Sequence, residues 1–389
     1  MKLNFWHILF ALFLTFALAY YFIPLVRYLL IPFSGGTKAP DSLMMRFLDL
    51  NVAIDAHEPI RILADQKERV ATIEQVPEQN GWINSLPLDL KELYAQNKCV
   101  LISFWNLSCL KCIQVAPYTQ ALWDRYSSSG LIVIGVHTPD FDFEKKPNSL
   151  LEAIEKTSIT FPVVTDGSKK IWNKFGNHFR PANYLINPQG IIIYTNFGLG
   201  NYAQQEHAIR EALKKAGHQL PMLKEDSHYL EPVIRRSSQE LCAGVQRLKK
   251  PYGTQEQPHK KQTVLFSKCC KIEPDKLYVE GMHACNAEYV ESIAEANYTV
   301  NYLANAIYAV LAPADRTKPV EIEVLLDNEL VKTPFQGPDL KEIEGRTTMI
   351  VNQARLYYPI AHNAPYGRHT LTLKAPAGLR FYSFNFGTY

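Results

Sequence analysis

The fold of this chain is decided by residues 99–118, which read CVLISFWNLSCLKCIQVAPY. The apolar run Val100–Trp105 is typical of a buried strand, and Leu131–Val136 is a second run of the same kind. Between them, Cys112–Tyr126 carries apolar side chains at helical spacing. A strand, a helix and a strand in this order predict a unit with two parallel strands.

The elements that follow extend this unit into an α/β domain, which we assign to residues 76–220. Apolar patterns predict helices over residues 150–157 and 204–216, and strands over 161–164, 182–186 and 190–195. About 140 residues are enough for a domain to bury a core of its own.

Cys109 and Cys112 form a C-x-x-C motif just after the first predicted strand. Cys109 falls at or just before the start of the helix, where free backbone N–H groups and the helix dipole favour a thiolate. Cys112 lies one helical turn further on, close enough to form a short disulfide with Cys109. Thiol–disulfide exchange needs an attacking thiolate and a second thiol that resolves the mixed disulfide. The motif therefore predicts a redox site with Cys109 and Cys112 as its catalytic residues.

Other uses of the motif are disfavoured. A zinc ribbon needs a second C-x-x-C pair, which the remaining cysteines do not form, so we expect no metal and no cofactor. A peroxiredoxin would require a T-x-x-C motif, which is absent around the only candidate cysteine. Cys99 lies within an apolar run, where a buried, inert thiol is expected.

Arg180-Pro181 immediately precedes the predicted strand over residues 182–186. A cis-proline at this position could lie opposite the two cysteines, where its loop would present backbone groups to a substrate chain. Only about 5–6% of X-Pro bonds are cis in folded proteins, so a proline alone is weak evidence for a cis bond. The prediction rests on the position of this proline just before a strand.

A series of short motifs between residues 81 and 216 resembles the thioredoxin-like domain of DipZ-type proteins, in the broader TlpA/ResA group of exported thiol-disulfide oxidoreductases. The motifs are Gly81–Ser85, Phe104-Trp105, Ser108-Cys109, Cys112-Ile113, Pro117-Tyr118, Gly135–Pro139, Phe143-Glu144, Trp172, Phe175–Asn177 and Pro181-Ala182. The resemblance implies a thioredoxin fold in which Cys109 attacks, Cys112 resolves and Pro181 is the cis-proline. It also implies that Trp105, Arg180 and Pro181 contact the substrate, which would be a protein disulfide or dithiol.

Two positions depart from the pattern of this family. Ser103 stands where the family often has an aspartate that could accept a proton from Cys112, and Arg180 stands where a tryptophan often precedes the cis-proline. Asp140 and Glu144 are alternative acids near the motif in sequence. We expect both carboxylates to be solvated at the surface.

The amino terminus predicts a membrane anchor. Leu3–Val26 is a run of 24 residues without a charge, and about 20 helical residues span a bilayer. A cleaved signal peptide is the alternative, because Ala17–Ala19 resembles a cleavage site, but the apolar character continues to Phe33. We therefore expect an anchor over residues 1–33 and a tether over 34–75. The protein would then be membrane-anchored and face the periplasm or another extracytoplasmic space.

The carboxy-terminal part predicts a basic linker over residues 221–271 and an all-β sandwich, jelly-roll-like, over residues 272–389. It resembles the carbohydrate-binding-like module that follows the thioredoxin-like domain in DipZ-type proteins, and a glycan is therefore a candidate ligand. The residues that carry this resemblance are Ser238–Gly244, Glu288-Tyr289, Val320–Asp327, Arg355–Tyr357 and Phe381–Gly387.

Four further cysteines, Cys242, Cys269, Cys270 and Cys285, lie in or near this module. Disulfides or unpaired thiols are favoured over a metal site, because adjacent cysteines are not a standard zinc spacing. Because the linker is long, we expect the sandwich to be dispensable for reduction of a small disulfide and to serve recognition instead.

Composition excludes other classes. The net charge of +3 gives no reason to expect a nucleic-acid-binding protein, and seven cysteines in 389 residues are too few for a disulfide-stapled miniprotein.

Only one apolar segment could span a membrane, so a separate membrane partner would have to supply electrons. The rival interpretation is a non-catalytic envelope adaptor whose sandwich binds a glycan or a protein.

Overall fold

The amino-terminal sheet forms where the sequence has its apolar runs. The structure, a computed structural model, describes residues 81–222, 229–269 and 271–388. The predicted anchor (1–33) and tether (34–75) lie outside these ranges. Of the helices within them, none is both long and apolar enough to cross a bilayer. The sheet strands are β1 Trp82–Ile83, β2 Cys99–Trp105, β3 Leu131–His137, β4 Val163–Thr165, β5 Ala182–Ile186 and β6 Ile192–Phe197.

The strands of this sheet are ordered β1-β4-β3-β2-β5-β6. Strands β2, β3 and β4 are parallel, whereas β5 and β6 run antiparallel to their neighbours and β1 runs antiparallel to β4. All seven residues of β2 are buried, as expected for a central strand covered on both faces. The parallel strand–helix–strand unit predicted over residues 100–136 is therefore confirmed.

Helices cover both faces of the sheet. The predicted helices are confirmed, with boundaries that shift by up to three residues. The helices are α1 Leu90–Ala95, α2 Leu110–Tyr126, α3 Pro147–Thr157, α4 Lys170–Lys174 and α5 Tyr202–Lys215. The buried face of α2 packs on one side of β2 together with Leu101 and Trp105, while Val100, Ile102 and Phe104 belong to a separate core on the other side.

The carboxy-terminal domain is a large antiparallel β-sheet. Two of its strands, β7 and β8, lie inside the segment expected to be a linker, so part of that segment belongs to the sheet. Its strands in the described residues are β7 Leu241–Cys242, β8 Gln262–Phe266, β9 Leu277–Cys285, β10 Val290–Ser292, β11 Ala296–Ala304, β12 Ala306–Pro313, β13 Val320–Leu326, β14 Glu329–Leu330, β15 Leu340–Ile343, β16 Arg346–Val351, β17 Arg355–Ile360, β18 Gly367–Ala375 and β19 Leu379–Gly387.

Strand β9 joins two parts of this sheet. Its first half pairs with β11, and its second half pairs with β8 and β10. Gly281 lies at the change of partner with φ of +99°, and a Cβ there would come within 2.5 Å of the Glu295 carbonyl oxygen. Only glycine fits such a position without strain. Both parts pack around one apolar core, which includes Val300 and Phe384.

The α/β domain and the β domain pack directly against each other, and all described residues fall in one compact unit. Leu110, Phe141 and Phe143 of the α/β domain are buried in one apolar cluster with residues of the sheet. The Tyr382 ring packs edge-on against both phenylalanines, with centroids 4.9 and 5.3 Å away. Since Leu110 is the residue after Cys109, this contact lies beside the C-x-x-C motif.

Candidate active site

Cys109 and Cys112 are joined by a disulfide at the amino terminus of α2, with Cα atoms 5.2 Å apart. Cys109 is the N-cap residue, and its Sγ accepts a hydrogen bond from the Cys112 N–H at 3.1 Å. Cys109 is partly exposed, whereas Cys112 is only 3% exposed. In the reduced protein the helix terminus would stabilise a thiolate at Cys109, which is also the sulfur a partner can reach.

The Arg180-Pro181 peptide bond is cis. Pro181 comes just before β5, and the first residue of β5, Ala182, pairs with Phe104 near the end of β2. The proline loop therefore lies at the same end of the sheet as the start of α2. Pro181 itself is buried, and its carbonyl oxygen accepts a hydrogen bond from the Gly198 N–H at 2.9 Å.

The Arg180 guanidinium is held by the protein itself. It donates to the Thr138 carbonyl oxygen at 2.9 Å, forms an ion pair with Asp140 and lies 4.8 Å from the centre of the Trp172 ring. The resemblance implies that Arg180 contacts the substrate, and this stays a prediction. In the structure the Arg180 guanidinium shares the Asp140 carboxylate with Arg247.

Trp105 lies apart from the cleft that Cys109 faces. It is 6% exposed, its ring is 5.5 Å from that of His137, and it lines a separate cavity of about 580 Å³ between the two domains. Of the residues predicted from the sequence to contact substrate, the structure brings Arg180 into one cleft with Cys109 and puts Trp105 on another cavity.

The expectation that Asp140 and Glu144 are solvated is wrong. Glu144 is 1% exposed and accepts hydrogen bonds from the Ser108 N–H at 2.9 Å and the Ser108 hydroxyl at 2.7 Å. It also accepts from the backbone N–H groups of Asp140 and Phe141. Burial raises the pKa of Glu144, although these donors oppose that shift. Glu144 thus fixes the residue before Cys109 to the loop after β3.

Asp140 is also mostly buried, with 15% of its side chain exposed. It lies between Arg180 and Arg247, and Arg247 Nη1 is 3.2 Å from its Oδ1 atom. Burial alone would raise the pKa of Asp140, but the two guanidinium groups outweigh burial and hold this pKa below its usual value.

Arg247 is the residue that sequence reasoning missed. It belongs to the segment expected to be a basic linker, yet it contacts Asp140, lies 3.6 Å from Glu240 and covers the Phe141 ring at 4.5 Å. Arg247 is one of many basic residues in this segment, and nothing in the sequence indicates that it pairs with Asp140, 107 positions away. Only the packing of the two domains brings it to this site.

Cys109 opens into a cleft of about 670 Å³ between the two domains. The wall from the α/β domain includes Cys109, Lys111, Asp140 and Arg180. The opposite wall comes from the carboxy-terminal part of the chain and includes Ser237–Cys242, Arg247 and Lys249–Pro251. A volume of this size is typical of sites that bind small molecules.

The other described cysteines are unpaired thiols. Cys99, Cys242 and Cys285 are buried, and Cys269 is partly exposed. Burial raises the pKa of Cys99 to about 11 and that of Cys242 to about 12. Cys242 lines the same cleft as Cys109. Within the described ranges, no three His, Cys, Asp or Glu side chains come together as a metal site.

Two family models match the chain. The AhpC/TSA family matches residues 75–195, and the family described as thioredoxin like C-terminal domain matches residues 238–387. The second match begins inside residues 221–271, the segment that the sequence predicts to be a linker.

Individual proteins match as well. Protein DipZ of Mycobacterium tuberculosis is 27% identical over 330 residues, which cover 83% of this chain and 44% of that protein. The chain therefore spans less than half the length of this relative. Thiol-disulfide oxidoreductase YkuV of Bacillus subtilis is 26% identical over 143 residues, covering 36% of this chain and 95% of YkuV. The solution structure of a thioredoxin-like protein in the oxidized form covers 37% of this chain and 95% of its own, at 23% identity and a TM-score of 0.33. The match to DipZ and the two family models confirm the resemblance to DipZ-type proteins.

Proposed function

We propose that this protein is a membrane-anchored, extracytoplasmic thiol-disulfide oxidoreductase that exchanges disulfides with protein substrates through Cys109 and Cys112. One observation carries the proposal. Cys109 is partly exposed at a helix amino terminus, faces a cleft and is paired with a buried Cys112 one turn further on. This is the arrangement that a two-step exchange requires, with one reachable sulfur and one resolving sulfur held behind it.

In the reducing direction, the Cys109 thiolate attacks one sulfur of a substrate disulfide. An S–S bond forms between Cys109 and the substrate, and the other substrate sulfur leaves as a thiolate that takes up a proton. The Cys112 thiol then loses its proton and attacks Cys109 Sγ, which releases the second substrate thiolate. The substrate gains two electrons and two protons, and the protein becomes the Cys109–Cys112 disulfide. The oxidising direction is the reverse of these steps, and the reduction potential of the couple sets which one prevails.

Continued reduction needs an electron donor. We assign this role to the dithiol of a separate membrane protein, which would reduce the Cys109–Cys112 disulfide by the same exchange. The anchor is the apolar segment Leu3–Val26, and both domains would lie on the extracytoplasmic side. Labelling of a surface cysteine in intact cells with a membrane-impermeant reagent tests this location, and labelling only after lysis would contradict it.

The test of the activity is reduction of insulin by the full chain in detergent, with dithiothreitol as reductant. Cys109→Ser should abolish the activity, and Cys112→Ser should accumulate mixed disulfides with partner proteins. Cys269→Ser is the matched control, because this partly exposed thiol lies outside the cleft, and it should retain the wild-type rate. Full activity of Cys109→Ser, or equal trapping by the Cys109→Ser and Cys112→Ser variants, would show that the assignment is wrong.

The alternative function is a non-catalytic adaptor whose β domain binds a glycan or an envelope protein. The same assay separates the two, since an adaptor would reduce insulin no faster than dithiothreitol alone.

A further inference from the structure

The cleft in front of Cys109 is built by both domains. Cys109 and Lys111 lie on the wall from the α/β domain, while Arg247, Lys249 and Lys250 lie on the wall from the carboxy-terminal part of the chain. A partner disulfide that reaches Cys109 must therefore enter between two walls that carry basic side chains.

The charges in this cleft do not cancel. Arg180 and Arg247 are balanced by the two carboxylates of the cleft, because both contact Asp140 and Arg247 also lies near Glu240. Three lysines remain. Lys111, Lys249 and Lys250 are exposed, and none of them forms an ion pair with a residue in the described ranges.

We infer that the cleft selects disulfides that carry acidic groups next to the reacting sulfurs. The inference rests on the proposed function and specifies its substrate class. Carboxylates beside the disulfide would be attracted by the three lysines, which raises the rate of encounter with Cys109. The thiolate that leaves when Cys109 attacks is a further negative charge in the same cleft.

The size of the cleft limits how the acidic disulfide is presented. About 670 Å³ admits a small molecule or one extended peptide segment of a protein. Both kinds of substrate would present the same chemical group, a disulfide with carboxylates a few ångströms away. Whether it comes from a small molecule or from an extended acidic segment is decided by the experiment.

The first arm uses three small symmetric disulfides of similar size and different charge. They are 3,3′-dithiodipropionate (negative), 2-hydroxyethyl disulfide (neutral) and cystamine (positive). The reduced full chain in detergent is mixed with each, and formation of the Cys109–Cys112 disulfide is followed in a single turnover. Each rate is divided by the rate of the same disulfide with free dithiothreitol, because the leaving thiols differ in pKa. On this scale the negative disulfide should react at least about threefold faster than the neutral one, and the positive disulfide should be slowest. The preference should shrink in 0.5 M salt, since screening weakens exposed charges.

The second arm identifies the side chains. In a Lys249→Gln/Lys250→Gln variant, the ratio of the negative to the neutral rate should fall towards one. The matched control is Lys260→Gln/Lys261→Gln, a neighbouring pair of exposed lysines outside the cleft, which should keep the wild-type ratio. Because the readout is a ratio within one variant, a general loss of active protein cancels.

The third arm compares two disulfide-linked peptide pairs that differ only in glutamate or glutamine beside the cysteine. A preference for glutamate larger than the preference among the small disulfides assigns an extended acidic segment, and a smaller one assigns a small molecule. Equal rates across both series would overturn the inference while leaving the proposed function intact. If no disulfide oxidises the reduced wild-type protein, the proposed function itself is wrong.

Discussion

Arg247 Nη1 lies 3.2 Å from Asp140 Oδ1, although the two residues are 107 positions apart in the chain. Asp140 follows β3 of the α/β domain, and Arg247 follows β7 of the β domain. Asp140 also pairs with Arg180, which precedes the cis-proline. The ion pairs therefore connect the carboxy-terminal domain to the loop beside the C-x-x-C motif.

Arg247→Ala should lower the free energy of unfolding by about 1–3 kcal/mol, because it leaves a mostly buried carboxylate with one partner fewer. Urea denaturation at pH 7 measures the loss. Arg346→Ala is the control, since Arg346 is half exposed and its carboxylate partners lie 3.8 and 3.9 Å away. Exposed pairs contribute little, so this variant should lose less than about 1 kcal/mol. Equal losses in the two variants would contradict the special role of Arg247.

The stability that Asp140 contributes should depend on pH in acid. Its pKa in the folded protein lies below the ordinary value of 3.8, so the unfolded chain binds the proton more tightly. The contribution is therefore complete above about pH 5 and decreases as the pH falls below about 4. Asp140→Asn should be less stable than wild type at pH 6, and the gap should narrow towards pH 3. A gap that stays constant over this range would exclude the ion pairs as its cause.

Glu144→Gln should destabilise the protein by about 1–3 kcal/mol, even though the side chains have nearly the same shape. Both carboxylate oxygens accept from two donors, so either orientation of the amide turns an N–H group towards N–H donors. Glu155→Gln on the exposed face of α3 should change stability by less than about 0.5 kcal/mol. Urea midpoints of the two variants check the difference, and a neutral Glu144→Gln would refute it.

In the reduced protein, Cys109 should be alkylated far faster than Cys99 or Cys242. With a pKa of about 12, Cys242 is a thiolate in only about one molecule in 10⁴ at pH 8, and only thiolates react. Brief treatment with iodoacetamide followed by mass spectrometry of the peptides measures the three rates. Modification of Cys242 as fast as Cys109 would mean that the cleft is more open than the structure indicates.

Truncation after Leu220 should produce a fragment with exposed apolar surface. Leu110, Phe141 and Phe143 are at most 5% exposed, and removal of the β domain uncovers the faces that it covers. The fragment should bind a hydrophobic dye such as anilinonaphthalene sulfonate, and the full chain should not. Weak dye binding by a folded fragment would instead support the expectation from the sequence that the two domains are independent.

Much of the α/β domain could be predicted from the sequence. Buried parallel strands appear as continuous apolar runs, and helices have their own periodicity, so local patterns identify both. The Cys109-Cys112 spacing relative to the first strand likewise indicates thiol chemistry, because both sulfurs lie in one helical turn. The DipZ resemblance rests on local motifs of the same kind.

The domain contact could not be predicted in this way. The sequence favours a linker over residues 221–271, because its polar and basic composition lacks a sustained apolar pattern. The short strands β7 and β8 nevertheless join the sheet through backbone hydrogen bonds, which do not depend on side-chain pattern. The burial of Asp140 and Glu144 could not be predicted for a related reason. The local sequence around an acidic residue does not show whether a hydrogen-bond donor or an arginine from a distant segment will contact it.

The sequence by itself thus determined the parallel strand–helix–strand unit, the helices and strands that follow it, the spacing of Cys109 and Cys112 and the position of the proline loop. These features depend on residues that are close together in the chain or on the apolar pattern of single strands. Only the tertiary structure decided what surrounds Cys109: the buried Glu144, the Arg180–Asp140–Arg247 ion pairs and a cleft whose second wall comes from the β domain. The Asp140–Arg247 pair and the two walls of the cleft join segments more than a hundred residues apart, and the Arg180–Asp140 pair joins residues 40 positions apart. The energies of these contacts depend on burial and distance, which exist only once the chain has folded.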